Sequence, residues 1–216
     1  MSAAAGRPAS CCLNRRTRIL EKPHGDCQET RGGAHARSLS SPVLRPALPT
    51  PLAERIGRWR DDRPLPGRQV ATANLHLTLA FLGQVPSARL EALLDMAAAI
   101  EAAPFDLYLD RLLRWRNGIL LLAPSQPPGA LLRLRRALRS GLAELELPVE
   151  TRPFSAHLTL ARDAAPLEDA PPPPTFVWQV DHFSLFCSQN DAAGVRYRTL
   201  GRWALCGEDS NERFAP

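Results

Sequence analysis

The tetrapeptide His-Leu-Thr-Leu occurs twice in this chain, at His76–Leu79 and at His157–Leu160. Only five histidines exist in the whole sequence, and two of them share this local context. Both copies lie in segments with strand-like alternation, Asn74 to Phe81 and Ser155 to Arg162, apolar at every second position. Side chains two apart on a strand point to the same side of the sheet. His76 and Thr78 therefore share one face while Leu75, Leu77 and Leu79 go to the core. His157 and Thr159 stand likewise above Leu158 and Leu160. A short strand presents an imidazole beside a hydroxyl, and the chain does so twice.

The 216 residues allow one large domain or two small lobes. No run approaches the roughly 18 apolar residues of a membrane helix, so a soluble, cytoplasmic chain is expected. The net charge is +5, but residues 1–40 carry seven basic and three acidic side chains, leaving twenty against nineteen in the remainder. The body is nearly neutral, which argues against a broad electrostatic footprint for nucleic acid. Anion binding must come from a local cluster.

Residues 1–40 hold Arg15, Arg16, Arg18, Gly32 and Gly33 with no apolar period, and they read as a disordered extension. Arg15-Arg16 is followed by no apolar export segment, and Glu21, Asp26 and Glu29 disfavour a transit peptide. Cys11, Cys12, His24 and Cys27 fit no established zinc spacing. Cys187 and Cys206 read as reduced and buried. Residues 41–207 form the folded body and 208–216 a disordered tail.

Within the body, Val43–Leu48 reads as a strand interrupted by Pro46. A helix opens at Thr50-Pro51 and runs to about Arg60. Pro86 and Ser87 start a second helix with Leu90, Leu93, Leu94, Ala97 and Ile100 on one face. Phe105–Trp115 alternates as a strand, and Asn117-Gly118 turns it into Ile119–Ala123. A third helix after Pro127–Gly129 carries a Leu131, Leu134, Leu138 and Leu142 stripe. Its Arg133, Arg135, Arg136 and Arg139 read as a solvated face. A stiff spacer with Pro171–Pro174 precedes two final strands, Phe176–Phe186 and Val195–Leu205. Hairpins and one-sided strands predict an α+β fold of antiparallel sheets with helices outside. The histidines are 81 residues apart, which suggests a duplicated lobe and one shared cleft.

Two imidazoles facing one another can divide acid and base work, since their ordinary pKa near 6.5 leaves both forms populated around neutrality. Threonine hydroxyls beside them can donate to an oxyanion. Phosphodiester cleavage fits this division. Acyl transfer lacks a Gly-x-Ser-x-Gly element. Metal hydrolysis lacks His-Glu-x-x-His, and no carboxylate lies on either strand.

The extended motifs, Asn74-Leu75-His76-Leu77-Thr78-Leu79-Ala80-Phe81-Leu82-Gly83 and Arg152-Pro153-Phe154-Ser155-Ala156-His157-Leu158-Thr159-Leu160-Ala161-Arg162, resemble those of the RNA 2′,3′-cyclic phosphodiesterases. These are also called 2′-5′ RNA ligases, of the two-histidine phosphoesterase superfamily. Phe176–Leu185, Tyr197 and Trp203 resemble the family's closing strands, so the similarity covers roughly residues 43–206. It implies a bilobal, pseudo-two-fold α+β fold with antiparallel sheets lining a positively charged central cleft. It also implies hydrolysis of RNA 2′,3′-cyclic phosphate ends to 2′-phosphates by a monomer, with no metal and no cofactor. His76 would be the proton donor to the leaving 3′ oxygen and His157 the proton acceptor activating water. Thr78 and Thr159 would hold phosphoryl oxygens, and Arg162 would bind phosphate. Strand parity sets Arg162 opposite His157, so it reaches the cleft only if the strand ends or bulges first. Phe81, at the corresponding place in the first motif, either stacks a base or packs in the core.

The first strand departs from the family's aromatic apolar run. Pro46 removes a ladder donor, and Arg45 stands where an apolar residue is expected. Ala156 replaces a frequent proline. His182 reads as structural, and Trp59, Trp115, Trp178 and Trp203 as packing residues. Two other readings remain open on composition: an RNA-end-binding module with little turnover, and an enzyme acting on a small cyclic nucleotide or an ADP-ribose cyclic phosphate.

Overall fold

The computed structural model describes residues 38–39, 42–167, 172–191 and 194–207. Most of the expected N-terminal extension, with Cys11, Cys12, His24 and Cys27, lies outside them, as do Pro171 of the spacer and the tail 208–216. In chain order the elements are β1 (Ser38–Leu39), β2 (Val43–Arg45), α1 (Thr50–Asp61), β3 (Arg68–Gln69), β4 (Ala80–Phe81), β5 (Val85–Pro86) and α2 (Leu90–Ala98). Next come β6 (Phe105–Leu109), β7 (Arg111–Arg114), β8 (Leu120–Ala123) and α3 (Gly129–Glu144). The chain closes with β9 (Leu158–Arg162), β10 (Phe176–Val180), β11 (His182–Asp191) and β12 (Gly194–Ala204). Among the described residues no helix is long and apolar enough to cross a membrane.

Every ladder is antiparallel, as expected of an α+β chain built from hairpins. Two four-stranded sheets define two lobes, ordered β12-β11-β2-β4 and β3-β9-β8-β7. A separate pair, β6 with β10, is joined in register Phe105↔Val180 to Leu109↔Phe176. Both strands alternate buried and exposed residues identically. Phe105 to Asp110 and Phe176 to Asp181 also match in sequence, with Phe first and Asp last in each. This agrees with the duplicated lobe that the repeated tetrapeptide suggests. Offsets of 71 residues here and 81 at the histidines relate one half to the other.

The lobes meet at the motifs. Leu77 bridges Leu158 in antiparallel fashion, and both leucines are fully buried in one continuous core. The motif strands are shorter than alternation alone predicts. Around the first histidine only this bridge and β4 are formed, and β9 begins one residue after His157. A 3-10 turn over Thr72–Asn74 delivers His76 instead of extended chain.

Pro51 sits in the first turn of α1, where its missing N–H is no loss. β2 stops at Arg45, ahead of Pro46. Leu131, Leu134, Leu138 and Leu142 of α3 are buried as the stripe predicts. Arg135 is a correction to the solvated arginine face, because it too is buried, with its guanidinium 5.6 Å from the Phe154 ring centre. It lies four residues after Leu131 and three before Leu138, which at helical spacing puts it on the leucine stripe. Trp59, Trp178 and Trp203 pack as expected, Trp59 edge-on to Phe176 at 5.5 Å and Trp203 stacked on Phe183 at 5.2 Å.

Truncating either bridging leucine to alanine is expected to cost about 2–5 kcal/mol in denaturant unfolding. Because the two side chains are neighbours, the double variant should depart from additivity by more than about 0.5 kcal/mol.

Candidate active site

The Leu77↔Leu158 bridge fixes where the polar motif residues go. One step along the antiparallel register on either side sets His76 opposite Thr159 and Thr78 opposite His157. All four therefore share the face away from the core, with the imidazoles diagonal to one another. Diagonal neighbours in such a pair are separated by roughly 7–8 Å between backbone positions, within reach of long side chains on one ligand. All four side chains are partly exposed, while Leu75, Leu77, Leu79, Leu158 and Leu160 beneath are buried.

Each ring is oriented by the carbonyl two residues before it. His76 Nδ1–H donates to the Asn74 carbonyl at 2.6 Å, and His157 Nδ1–H donates to the Ser155 carbonyl at 2.8 Å. A neutral imidazole held this way keeps the lone pair of Nε2 for the cleft.

Both strands then slip by one residue at the same place. Thr159 pairs with Leu121 but Ala161 with Leu120, so Leu160 is an inserted residue on β9. In the first lobe, Leu79 N–H donates to the Leu44 carbonyl at 2.9 Å while Ala80 is Leu44's ladder partner. Two residues thus face one in both lobes, which is a β-bulge. The burial pattern confirms the slip: Leu79 and Ala80 are consecutively buried, as are Leu160 and Ala161, and the next residue is exposed. The bulge required to bring Arg162 to the cleft is present, and its charge acts on both His76 and His157. Phe81, the first-lobe counterpart, is 57 % exposed, which removes the core-packing alternative.

Arg60 fastens the second bulge. From the end of α1 its Nη1 donates to the carbonyls of Val70 and, at 3.5 Å, of Leu160. Val70 N–H donates to the same Leu160 carbonyl at 2.8 Å.

Two residues beyond the sequence-based set belong to the site. Trp115 lies 4.5 Å from the His157 ring, centre to centre, in a tilted arrangement. It was expected to be a packing residue. It follows Leu113 by two, and Leu113, Leu121 and Thr159 form one cross-strand row, so parity puts Trp115 on the cleft face. The three-residue hairpin Arg116–Gly118, with Gly118 at φ +78°, holds it there through Trp115 N–H to the Ile119 carbonyl at 2.9 Å. Arg45 is buried, lies 4.1 Å over the Phe186 ring, and bears on His76. His182 Nδ1–H donates to the Asp181 carboxylate, in keeping with its structural reading.

Burial is the main cause that pushes the His76 pKa down to about 4, and the charges of Arg45, His157 and Arg162 add to it against the Asn74 hydrogen bond. Burial also lowers His157, with Arg162 adding and the Ser155 bond opposing. Near pH 7 both rings in the free protein are therefore predominantly neutral, where unperturbed values would leave a sizeable protonated fraction. Such a pair, next to hydroxyls and a guanidinium, can accept a proton at either Nε2 and can bind an anion that recharges one ring. Among the described residues no three His, Cys, Asp or Glu side chains cluster to hold an ion.

A family model described as the 2′-5′ RNA ligase superfamily matches residues 48–192. The RNA 2′,3′-cyclic phosphodiesterase of Escherichia coli (strain K12) is 41% identical over 163 residues, covering 73% of this chain and 92% of that protein. A protein of the same description from Thermus thermophilus is 33% identical over 172 residues, covering 74% and 83%. Among solved structures, E. coli LigT complexed with 3′-AMP aligns with a TM-score of 0.72 at 38% identity, covering 77% of this chain and 98% of that one.

The depressed His76 pKa has a signed consequence for stability. The folded chain holds this proton more weakly than the unfolded chain, whose value is near 6.5. Stability from the neutral ring is therefore complete above pH 6.5 and is lost as pH falls toward 4, by about 3 kcal/mol in all. His76→Gln should flatten the pH dependence of denaturant stability between pH 6.5 and 4. An unchanged slope in that variant would contradict the burial argument.

Proposed function

The chain belongs to the 2′-5′ RNA ligase superfamily, and from that membership we propose that it hydrolyses RNA 2′,3′-cyclic phosphate ends to 2′-phosphomonoesters. Residues 41–207 would be the catalytic body, acting as a monomer in the cytoplasm without metal. The observation that carries this reading is the antiparallel Leu77↔Leu158 bridge, which sets two oriented imidazoles and two threonine hydroxyls on one face beside Arg162.

The cyclic phosphate lies between the rings. His157 Nε2 takes a proton from water as the water oxygen forms a bond to phosphorus. The bond from phosphorus to the 3′ oxygen breaks, and His76 Nε2 gives that oxygen its proton. The product carries a 2′-phosphate and a free 3′ hydroxyl, and the proton left on His157 returns through solvent to His76. Thr78 and Thr159 donate hydrogen bonds to the non-bridging oxygens, where charge grows in the transition state. Arg162 counters that charge, and the exposed Phe81 ring offers a surface for a base.

His76 must carry a proton to act as the acid, yet it is neutral in the free protein at pH 7. The phosphate anion supplies what is missing, because a negative charge nearby favours the protonated ring. Substrate binding and proton loading are thereby one event.

Incubating the protein with an oligoribonucleotide ending in a 2′,3′-cyclic phosphate, chelator present, should yield a 2′-phosphate. Either His76→Ala or His157→Ala should lower turnover by about 10²-fold or more with the fold intact. Wild-type rates in either variant, or a need for metal, would end the proposal. A 3′-phosphate product would reverse the bond assigned to cleavage.

The pH profiles give a further expectation. The profile of kcat/KM reports the free protein, so its alkaline limb should fall below the ordinary histidine value. The limb in kcat should lie at higher pH, because bound phosphate raises both rings. Coincident limbs would show that substrate charge does not load the acid.

A further inference from the structure

The two lobes are built alike, and Arg45 is where they differ in chemistry. In the second lobe a row runs across the sheet through Leu113, Leu121 and Thr159. The 71-residue offset relates Leu113 to Ser184, which pairs with Arg45. The 81-residue offset relates the bulge at Leu160 to that at Leu79, and so the Leu121–Thr159 contact to Arg45 and Thr78. A leucine thus fills this position beside Thr159, whereas a guanidinium fills it beside Thr78.

Strand parity puts Arg45 on the cleft side. It alternates with Leu44, which is in the core, and shares its face with Val43, the ladder partner of exposed Phe81. The charges that act on His76 come from Arg45 first, then His157 and Arg162, all of one sign, whereas Arg162 is the charge that acts on His157. The first lobe thus sets a cation on the cleft face beside His76 where the other lobe has an apolar side chain. An anion bound against His76 would meet it.

We propose that Arg45 is a second phosphate-binding cation of this cleft, gripping the reacting phosphate from the first-lobe side alongside Arg162. This rests on the phosphodiesterase reading for the identity of the anion. It makes Arg45 the group that ties arrival of the phosphate to proton loading on His76, since the anion neutralises a charge that adds to burial in keeping the ring unprotonated. The Phe186 ring, 4.1 Å from the guanidinium carbon, gives it a cation–π neighbour.

The test uses the whole chain, labelled with nitrogen-15, titrated with inorganic phosphate. The Arg45 Nε–H resonance, assigned by its loss in Arg45→Lys, should shift and saturate together with the His76 imidazole. The pH midpoint of His76 should rise when phosphate is bound. Arg45→Leu should bind phosphate about tenfold or more weakly, with Arg45→Lys between it and wild type. On a cyclic-phosphate oligonucleotide, Arg45→Leu should raise KM and move the alkaline limb of kcat/KM upward, because one positive charge has left His76.

An Arg45 resonance that stays still while His76 responds overturns the proposal, and this arm needs only wild-type protein and the assignment variant. Wild-type protein that binds phosphate through Arg45 but opens no cyclic phosphate would defeat the phosphodiesterase reading and leave this one standing. Normal turnover with an Arg45→Leu variant unchanged in KM and pH limb would do the reverse.

Discussion

A single antiparallel bridge between Leu77 and Leu158 holds the two halves of the site together. The motif strands belong to different sheets, and this contact is where those sheets become neighbours. Both leucines are fully buried, and burying a leucine contributes about 1.5–3 kcal/mol. Because side chains alternate, any register that buries these two also lifts His76, Thr78, His157 and Thr159 to the opposite face. The arrangement of polar groups is thus a by-product of where the apolar ones must go. A shift of one residue would send the imidazoles into the core and the leucines into water.

The bulges extend this logic to the fifth residue after each histidine. In a regular strand an odd separation means opposite faces, so Phe81 and Arg162 would point away from the rings. One inserted residue in each strand reverses the parity. The inserted Leu160 leaves its carbonyl to be satisfied, and Val70 and Arg60 both donate to it. The buried arginine at the end of α1 thereby connects a distant helix to the position of Arg162 without touching the cleft.

Much of this was legible in the amino-acid order. Period-two alternation identified the motif faces, leucine spacing identified the buried side of α3, and the repeated tetrapeptide implied a duplicated lobe. The rest depends on partners distant in the chain. Alternation supplies the parity of Arg162 but not the bulge that cancels it, since that insertion exists only relative to Leu120 and Leu121. The charge of Arg135 suggested solvent, although its helical angle lies on the leucine stripe. Trp115 is one tryptophan among four until the hairpin at Gly118 swings it onto His157. The low proton affinity of His76 follows from burial and from Arg45, on a strand 31 residues earlier in the chain.

That last residue bears on a question the motifs leave open. The two histidines are followed by identical residues, anchored by carbonyls at the same spacing and followed by related bulges, so nothing in the repeat tells an acid from a base. Their surroundings differ. His157 lies against Trp115, whereas His76 lies in the field of Arg45, whose aromatic neighbour Phe186 is the first-lobe equivalent of Trp115. A buried ring whose proton affinity a nearby guanidinium lowers further responds when an anion cancels that charge. A ring beside an indole has less positive charge to be relieved of, so it stays closer to the form that accepts a proton. The direction of proton flow would then be set by two side chains outside the tetrapeptides, with His76 charged on binding and His157 left free to draw a proton from water.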